Sequence, residues 1–170
     1  MAETLPSFAG PRWFACHTKP RCEKKFAAML TVEGFSHYLP LVPSVRRYRD
    51  QTKRFTKPIF PVYVFAEIPP DRKNRVYQQD LLVRAIWVDD QNLFLRQLAD
   101  VKTIVASGVE ATLQPLLKKG TRVKIVSGPL WGVEGFVEDP KNPRGVLVAM
   151  DVLQQGLLVP VPMDRLEILP

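Results

Sequence analysis

The segment from Gly120 to Val137 reads Gly-Thr-Arg-Val-Lys-Ile-Val-Ser-Gly-Pro-Leu-Trp-Gly-Val-Glu-Gly-Phe-Val. Val123 and Ile125 alternate with Arg122 and Lys124, the period of a strand with one buried face. Gly128-Pro129 demands a turn. Gly132 and Gly135 fall where a short loop must bend back into the next strand, since a residue without a side chain takes positive φ freely. Pro140, Pro143, Gly145 and Gly156 follow. An interior glycine costs a helix about 1 kcal/mol and an interior proline about 3, so the chain from Lys118 onward is read as an all-β module.

The part before it is patterned differently. Trp13 to Thr18 reads as a strand, and Pro20 suits the first turn of a helix. That helix is expected from about Pro20 to Glu33, with Phe26, Ala27, Leu30 and Cys22 on its apolar face and Gly34 as its C-cap. Strand-like text from Ser36 to Val45 leads to Arg46, Arg47, Arg49, Lys53, Arg54 and Lys57, with Asp50 the one acid among them. Asp50-Gln51-Thr52 reads as a hairpin tip. Ile59 to Ile68, dense in β-branched and aromatic residues, is the strongest strand of this half. A short polar helix over Asp71 to Asp80 and a strand over Leu81 to Val88 come next. Asn92 to Ala106 has helical spacing without glycine or proline, and Val109 to Leu117 reads as a linker. The pattern is one α+β domain followed by a small all-β one.

Net charge is +7 over 170 residues, with 24 Lys and Arg against 17 Asp and Glu. The clustering of the cations points to a polyanionic partner. No apolar run approaches the ~20 residues of a membrane span, and Met1 to Pro11 lacks the pattern of a signal peptide. With only Cys16 and Cys22, not spaced as CxxC, a reduced cytoplasmic protein without structural zinc is expected. His17 and His37 stand beside no nucleophile or carboxylate motif. No P-loop, GxGxxG or metal-ligand spacing occurs. The expectation is therefore a binding protein, with no catalytic residue, metal or cofactor.

Four ordered patterns carry a resemblance. Trp13-Phe14-Ala15 with Thr18-Lys19-Pro20-Arg21 and Glu23-Lys24-Lys25 resembles the opening strand and helix of the NGN domain. Pro58-Ile59-Phe60-Pro61-Val62-Tyr63-Val64-Phe65 resembles its central strand motif, and Val83-Arg84-Ala85-Ile86-Trp87-Val88 its later strand. The Gly120–Val137 segment resembles the KOW motif. Together they are similar to the NusG/RfaH family of transcription elongation and antitermination factors. The resemblance implies an NGN domain over 12–108, an antiparallel sheet flanked by helices. A linker over 109–116 and a small SH3-like KOW barrel over 117–170 would follow. Housekeeping members usually carry Gly where Val62 stands, and the run from Leu153 to Val161 looks more like that of specialised paralogues. Refolding of the second domain into helices, as in RfaH, is not expected here, given its glycines and prolines.

The resemblance also implies sites. Tyr63 and Phe65, with Phe60 and Ile59, match the patch that docks on the clamp helices of the largest RNA polymerase subunit. Lys19, Arg21, Lys24 and Lys25 form one basic set, and Arg46, Arg47 and Arg49 open another. Cations of this kind supply phosphate contacts that position without reading sequence, with the non-template DNA strand the implied partner. Asn74, Arg75 and Gln78 fall where the family's DNA-facing element lies, and Arg and Gln can make bidentate base contacts. Trp131, Val133 and Phe136 would bind the KOW partner, a small-subunit ribosomal protein or Rho. Phe136 is expected to be the core residue of that set. The factor would be a monomer away from membranes. A ribosome-associated RNA-binding KOW protein is the alternative reading of the same charge.

Overall fold

The computed structural model describes residues 5–117, 119–138 and 144–170; Pro140 and Pro143 lie outside them. The chain divides into two compact units, Met1–Gln91 and Asn92–Pro170.

The first unit is α+β. Strands β1 (Arg12–Thr18), β2 (His37–Tyr38), β5 (Tyr63–Ile68) and β6 (Leu82–Trp87) form an antiparallel sheet in the order β2-β5-β1-β6. Phe14 pairs with Ala66 and Cys16 with Val64. One face of the sheet, with Phe14, Cys16, Val64, Ala66 and Ile68, packs with Phe26, Met29 and Leu30 of helix α1 (Glu23–Glu33). Those three helical residues follow the i, i+3, i+4 spacing of a single buried stripe. Gly34, at φ 78°, ends α1 in a left-handed cap, and Phe35 N–H donates back to Leu30 O at 2.9 Å. The helix begins three residues later than Pro20 because Arg21 sits at φ 60° and Cys22 N–H closes a turn on Lys19 O.

Strands β3 (Leu41–Arg47) and β4 (Thr52–Pro58) make a two-stranded sheet of their own, joined by the turn in which Tyr48 N–H donates to Gln51 O. The expected single strand from Ser36 is thus split in two around Leu39 and Pro40. The central strand begins at Tyr63 rather than Ile59, because Val62 at φ 67° leaves extended space. Pro70–Asp80 is 3-10, not α-helical, with extended backbone at Gln78 and positive φ at Gln79 and Asp80.

The second unit holds helix α2 (Gln91–Ser107) from Asn92 onward and an antiparallel six-stranded sheet. The strands are β7 (Thr112–Pro115), β8 (Thr121–Ile125), β9 (Glu134–Val137), β10 (Val146–Met150), β11 (Gln155–Val159) and β12 (Leu166–Ile168), in the order β12-β8-β9-β10-β11-β7. β7 lies inside the stretch expected to be a linker and pairs with β11. With β12 and β7 as edges, the hydrogen-bonded ladder is open, and no barrel is closed among the described residues. Val123, Ile125, Val133, Val137, Val148, Met150 and Leu157 are buried. Gly135 permits the close approach of β9 and β10: a Cβ there would lie 2.5 Å from Leu147 O. The helix meets the sheet through polar pairs. Gln97 donates to Asp151 Oδ1 at 2.9 Å and accepts Asp151 N–H at 3.0 Å, and Arg96 pairs with Glu134 at 2.9 Å.

The phase of β9 is the reverse of the expectation. Val133 is the buried residue at 1% exposure, and Phe136 is half-buried. Gly135 and Val137 point inward, so Phe136 between them must point out.

Candidate functional site

Tyr63 stands where β5 begins. Alternation puts Tyr63 and Phe65 on the sheet face opposite Val64 and Ala66. Tyr63 is half-buried, with its ring centroid 5.3 Å from that of His17. Phe65 is fully buried, Phe60 is 1% exposed at 6.2 Å from it, and Ile59 is 8% exposed. Of the four aromatic and aliphatic residues expected to form a docking patch, Tyr63 reaches the surface and the other three lie beneath.

The corner before Tyr63 is held from two sides. Val62 N–H donates to Glu23 Oε2 at 3.1 Å, and Val62 O accepts the Thr18 N–H at 2.8 Å. Glu23 and Thr18 are both buried. The sequence signals neither, because a charged residue in a basic run and a threonine at a strand end say nothing of a contact some 40 residues away.

The β3–β4 hairpin is an exposed basic arm. Arg46, Arg47, Arg49, Lys53, Arg54 and Lys57 are all exposed, and among the described residues none of them forms an ion pair. Registry puts Arg46 opposite Lys53 and Ser44 opposite Phe55, so Arg46, Lys53, Phe55 and Lys57 share one face. The guanidinium of Arg46 lies 5.7 Å from the Phe55 ring centre, and Lys53 Nζ lies 5.7 Å from that of Tyr48. Tyr48 and Phe55 are exposed by 48% and 39%. Their interleaving with cations is visible in the sequence, but the shared face is a matter of register. The geometry also joins the two basic sets: Lys24 Nζ donates to Thr56 O at 2.7 Å, placing the first turn of α1 at the root of the arm. Arg21 and Lys25 are exposed beside it. Lys19 is tied to Asp80 at 2.6 Å, and that contact holds the Asp80 carboxyl below its ordinary range. Asn74 and Arg75 are exposed on the 3-10 segment, and Gln78 is half-buried.

In the second unit, Trp131 is 69% exposed on the turn that Trp131 N–H closes on Gly128 O. Phe136 lines a cavity of about 310 Å³ with Leu147, Leu158, Leu117, Lys119 and Arg144. The Asp100 carboxyl on α2 is pushed up to about 6 by burial, against the opposing pull of the Glu134 N–H and Arg96. Burial likewise pushes the Cys16 thiol up to about 12, which leaves it an inert core group. Among the described residues no cluster of His, Cys, Asp and Glu could hold a metal, and no helix is long and apolar enough to cross a membrane.

The described residues thus form an α+β unit that carries an exposed basic arm without ion pairs, followed by a β-sheet unit with an exposed tryptophan turn. The family described as "Transcription termination factor nusG" matches residues 11–120, well over half of the chain, and the chain belongs to this NusG family of transcription factors. The fold is similar to that of NusG from Thermotoga maritima, in a structure described as "Domain interaction in Thermotoga maritima NusG". The TM-score is 0.50 at 18% identity, covering 94% of this chain and 98% of that one. A structure described as "Crystal Structure of MjSpt4:Spt5 complex conformation A" also matches, with a TM-score of 0.30 at 15% identity over 92% of this chain and 97% of that one. No curated protein sequence matches the chain.

Proposed function

We propose that this protein is an antitermination factor, a specialised NusG paralogue that binds elongating RNA polymerase and suppresses pausing or termination. The observation that carries the reading is the basic arm. Its six exposed cations lack carboxylate partners among the described residues, and Lys24 extends the surface at its root. Such a surface suits nucleic-acid phosphates, and in a NusG-family chain the candidate is the non-template DNA strand. Lys19, Arg21, Lys24, Lys25, Arg46, Arg47 and Arg49 position that strand, and Asn74, Arg75 and Gln78 contact its bases.

Tyr63 makes the contact with the polymerase clamp helices, on a bed of Phe65, Phe60 and Ile59. An aromatic anchor on a packed strand is well suited to be a hot spot. The proposed domains are 12–108 and 117–170 with a linker over 109–116, the second a KOW domain built on strands β8 to β12. It recruits a small-subunit ribosomal protein or Rho through Trp131 and Phe136, with Val133 supporting the turn from inside. The mechanism is differential binding: a factor that prefers the elongating state of the polymerase shifts the population toward it. Co-purification tests the reading. Recovery with polymerase subunits supports it, and recovery with ribosomal RNA alone refutes it in favour of a ribosome-associated protein.

A further inference from the structure

Val62 is a β-branched residue at φ 67°, a conformation that L side chains with a branched Cβ strongly disfavour. Such a backbone persists only where its surroundings over-determine it, and it concentrates at functional corners. Here the surroundings are specific. The buried Glu23 carboxylate accepts the Val62 N–H at 3.1 Å. Glu23 is the first residue of α1, where the free N–H groups of the helix favour a negative charge. On the other side, Val62 O accepts the Thr18 N–H at 2.8 Å, with Thr18 Oγ1 at 3.4 Å. Tyr63 N–H donates to Phe60 O at 3.2 Å and closes the turn. The next residue out of this corner is Tyr63, set against His17.

We infer that Glu23 is a positioning residue: it clasps Val62 in the left-handed conformation, and that conformation fixes where β5 starts and how Tyr63 is presented. Without the clasp, the favourable course for Val62 is extended backbone, which would carry the strand back toward Ile59 and rotate Tyr63 off its face. A carboxylate on one element thus supplies what a glycine at position 62 would supply by having no Cβ. The inference rests on the reading of Tyr63 as a polymerase contact, but the clasp has a readout that does not need polymerase.

The test is a double-mutant cycle in the full-length chain with Glu23→Ala, Glu23→Gln, Val62→Gly and the Glu23→Ala, Val62→Gly pair. Two readouts are taken: amide hydrogen exchange at residue 62 with the His17–Tyr63 ring contact by NMR, and affinity for RNA polymerase core enzyme by titration. Glu23→Ala is expected to speed exchange at residue 62 and to weaken polymerase binding, each by about tenfold, the scale of one lost buried hydrogen bond. Glu23→Gln, which keeps an acceptor oxygen, should recover most of both. In the Val62→Gly background Glu23→Ala should change affinity by no more than about twofold and preserve the ring contact, because glycine takes the corner unaided. An equal loss in both backgrounds overturns the inference, and so does a Gln variant as impaired as Ala or unchanged protection at residue 62. If Tyr63→Ala binds polymerase normally while residue 62 follows the cycle, the clasp stands and the polymerase reading of Tyr63 is what fails. If Glu23→Ala alone does not fold, rescue by Val62→Gly supports the inference and failure of that rescue overturns it.

Discussion

Removing charge from one face of the β3–β4 arm gives a quantitative forecast. Arg46, Lys53 and Lys57 share the face that carries Phe55, and Arg47 and Arg54 lie on the other. If the first face tracks a nucleic-acid strand, each of its three cations neutralises one phosphate. Each contact contributes about 0.7 to the salt slope for a single strand and about 0.9 for a duplex. Replacing all three by Gln should therefore reduce the slope of log K against log salt by about 2 to 3. Between 50 and 200 mM salt, the parent protein should then lose roughly 20- to 40-fold more affinity than the triple variant. The arm itself should survive, since the two exposed cation–π pairs that the variant gives up are each worth about 0.5–1 kcal/mol. Fluorescence anisotropy with a labelled oligonucleotide across a salt series measures the slope, with circular dichroism as the check on folding. Arg54→Gln, on the other face and outside the positioning set, is the control and should change the slope by less than about 0.5. An unchanged slope in the triple variant would refute the reasoning and make the arm a solvated surface.

Three further outcomes follow from the second unit. The Asp100 carboxyl titrates near 6, above its unfolded value, so the folded state binds the extra proton: stability should rise as pH falls from about 7 toward 4 and decline as pH rises through that window. Asp100→Asn should flatten this dependence in denaturant titrations at several pH values, and an unaltered pH profile would count against it. Gly120→Ala places a Cβ 2.0 Å from Val137 O at φ 87°. It should cost about 2–5 kcal/mol, adding the left-handed penalty to overpacking, and a loss below about 1 kcal/mol in urea unfolding would contradict the packing described. Trp131→Ala should leave stability within about 0.5 kcal/mol, because the side chain is mostly in water, while weakening capture of a small-subunit ribosomal protein or Rho in pull-downs.

Regular patterns are readable from the sequence, and single-residue events are not. The buried stripe of Phe26 and Leu30 and the cap at Gly34 follow from spacing and from glycine's freedom, and both stand where expected. The start of β5 lies four residues beyond its expected place because Ile59 to Val62 has the composition of a strand. Val62 leaves it at a corner held by contacts with Glu23 and Thr18, both distant in sequence. β7 reads as linker because four residues ending in Pro115 give too short an alternation to register; its partner β11 is what makes it a strand. The inversion of Val133 and Phe136 has the same origin: one residue in the turn after Gly132 sets the phase of everything that follows. The two basic sets are visible as runs, but their junction at Lys24 and Thr56 is a tertiary fact.

The central claim is that this NusG-family chain holds polymerase through Tyr63. Titration of purified RNA polymerase with the parent protein and with Tyr63→Ala measures it directly. Removing the half-buried ring should weaken binding by at least about thirtyfold, the scale of a hot-spot residue, with the thermal midpoint of the free protein little changed. Equal affinity of the two proteins for polymerase would contradict the account.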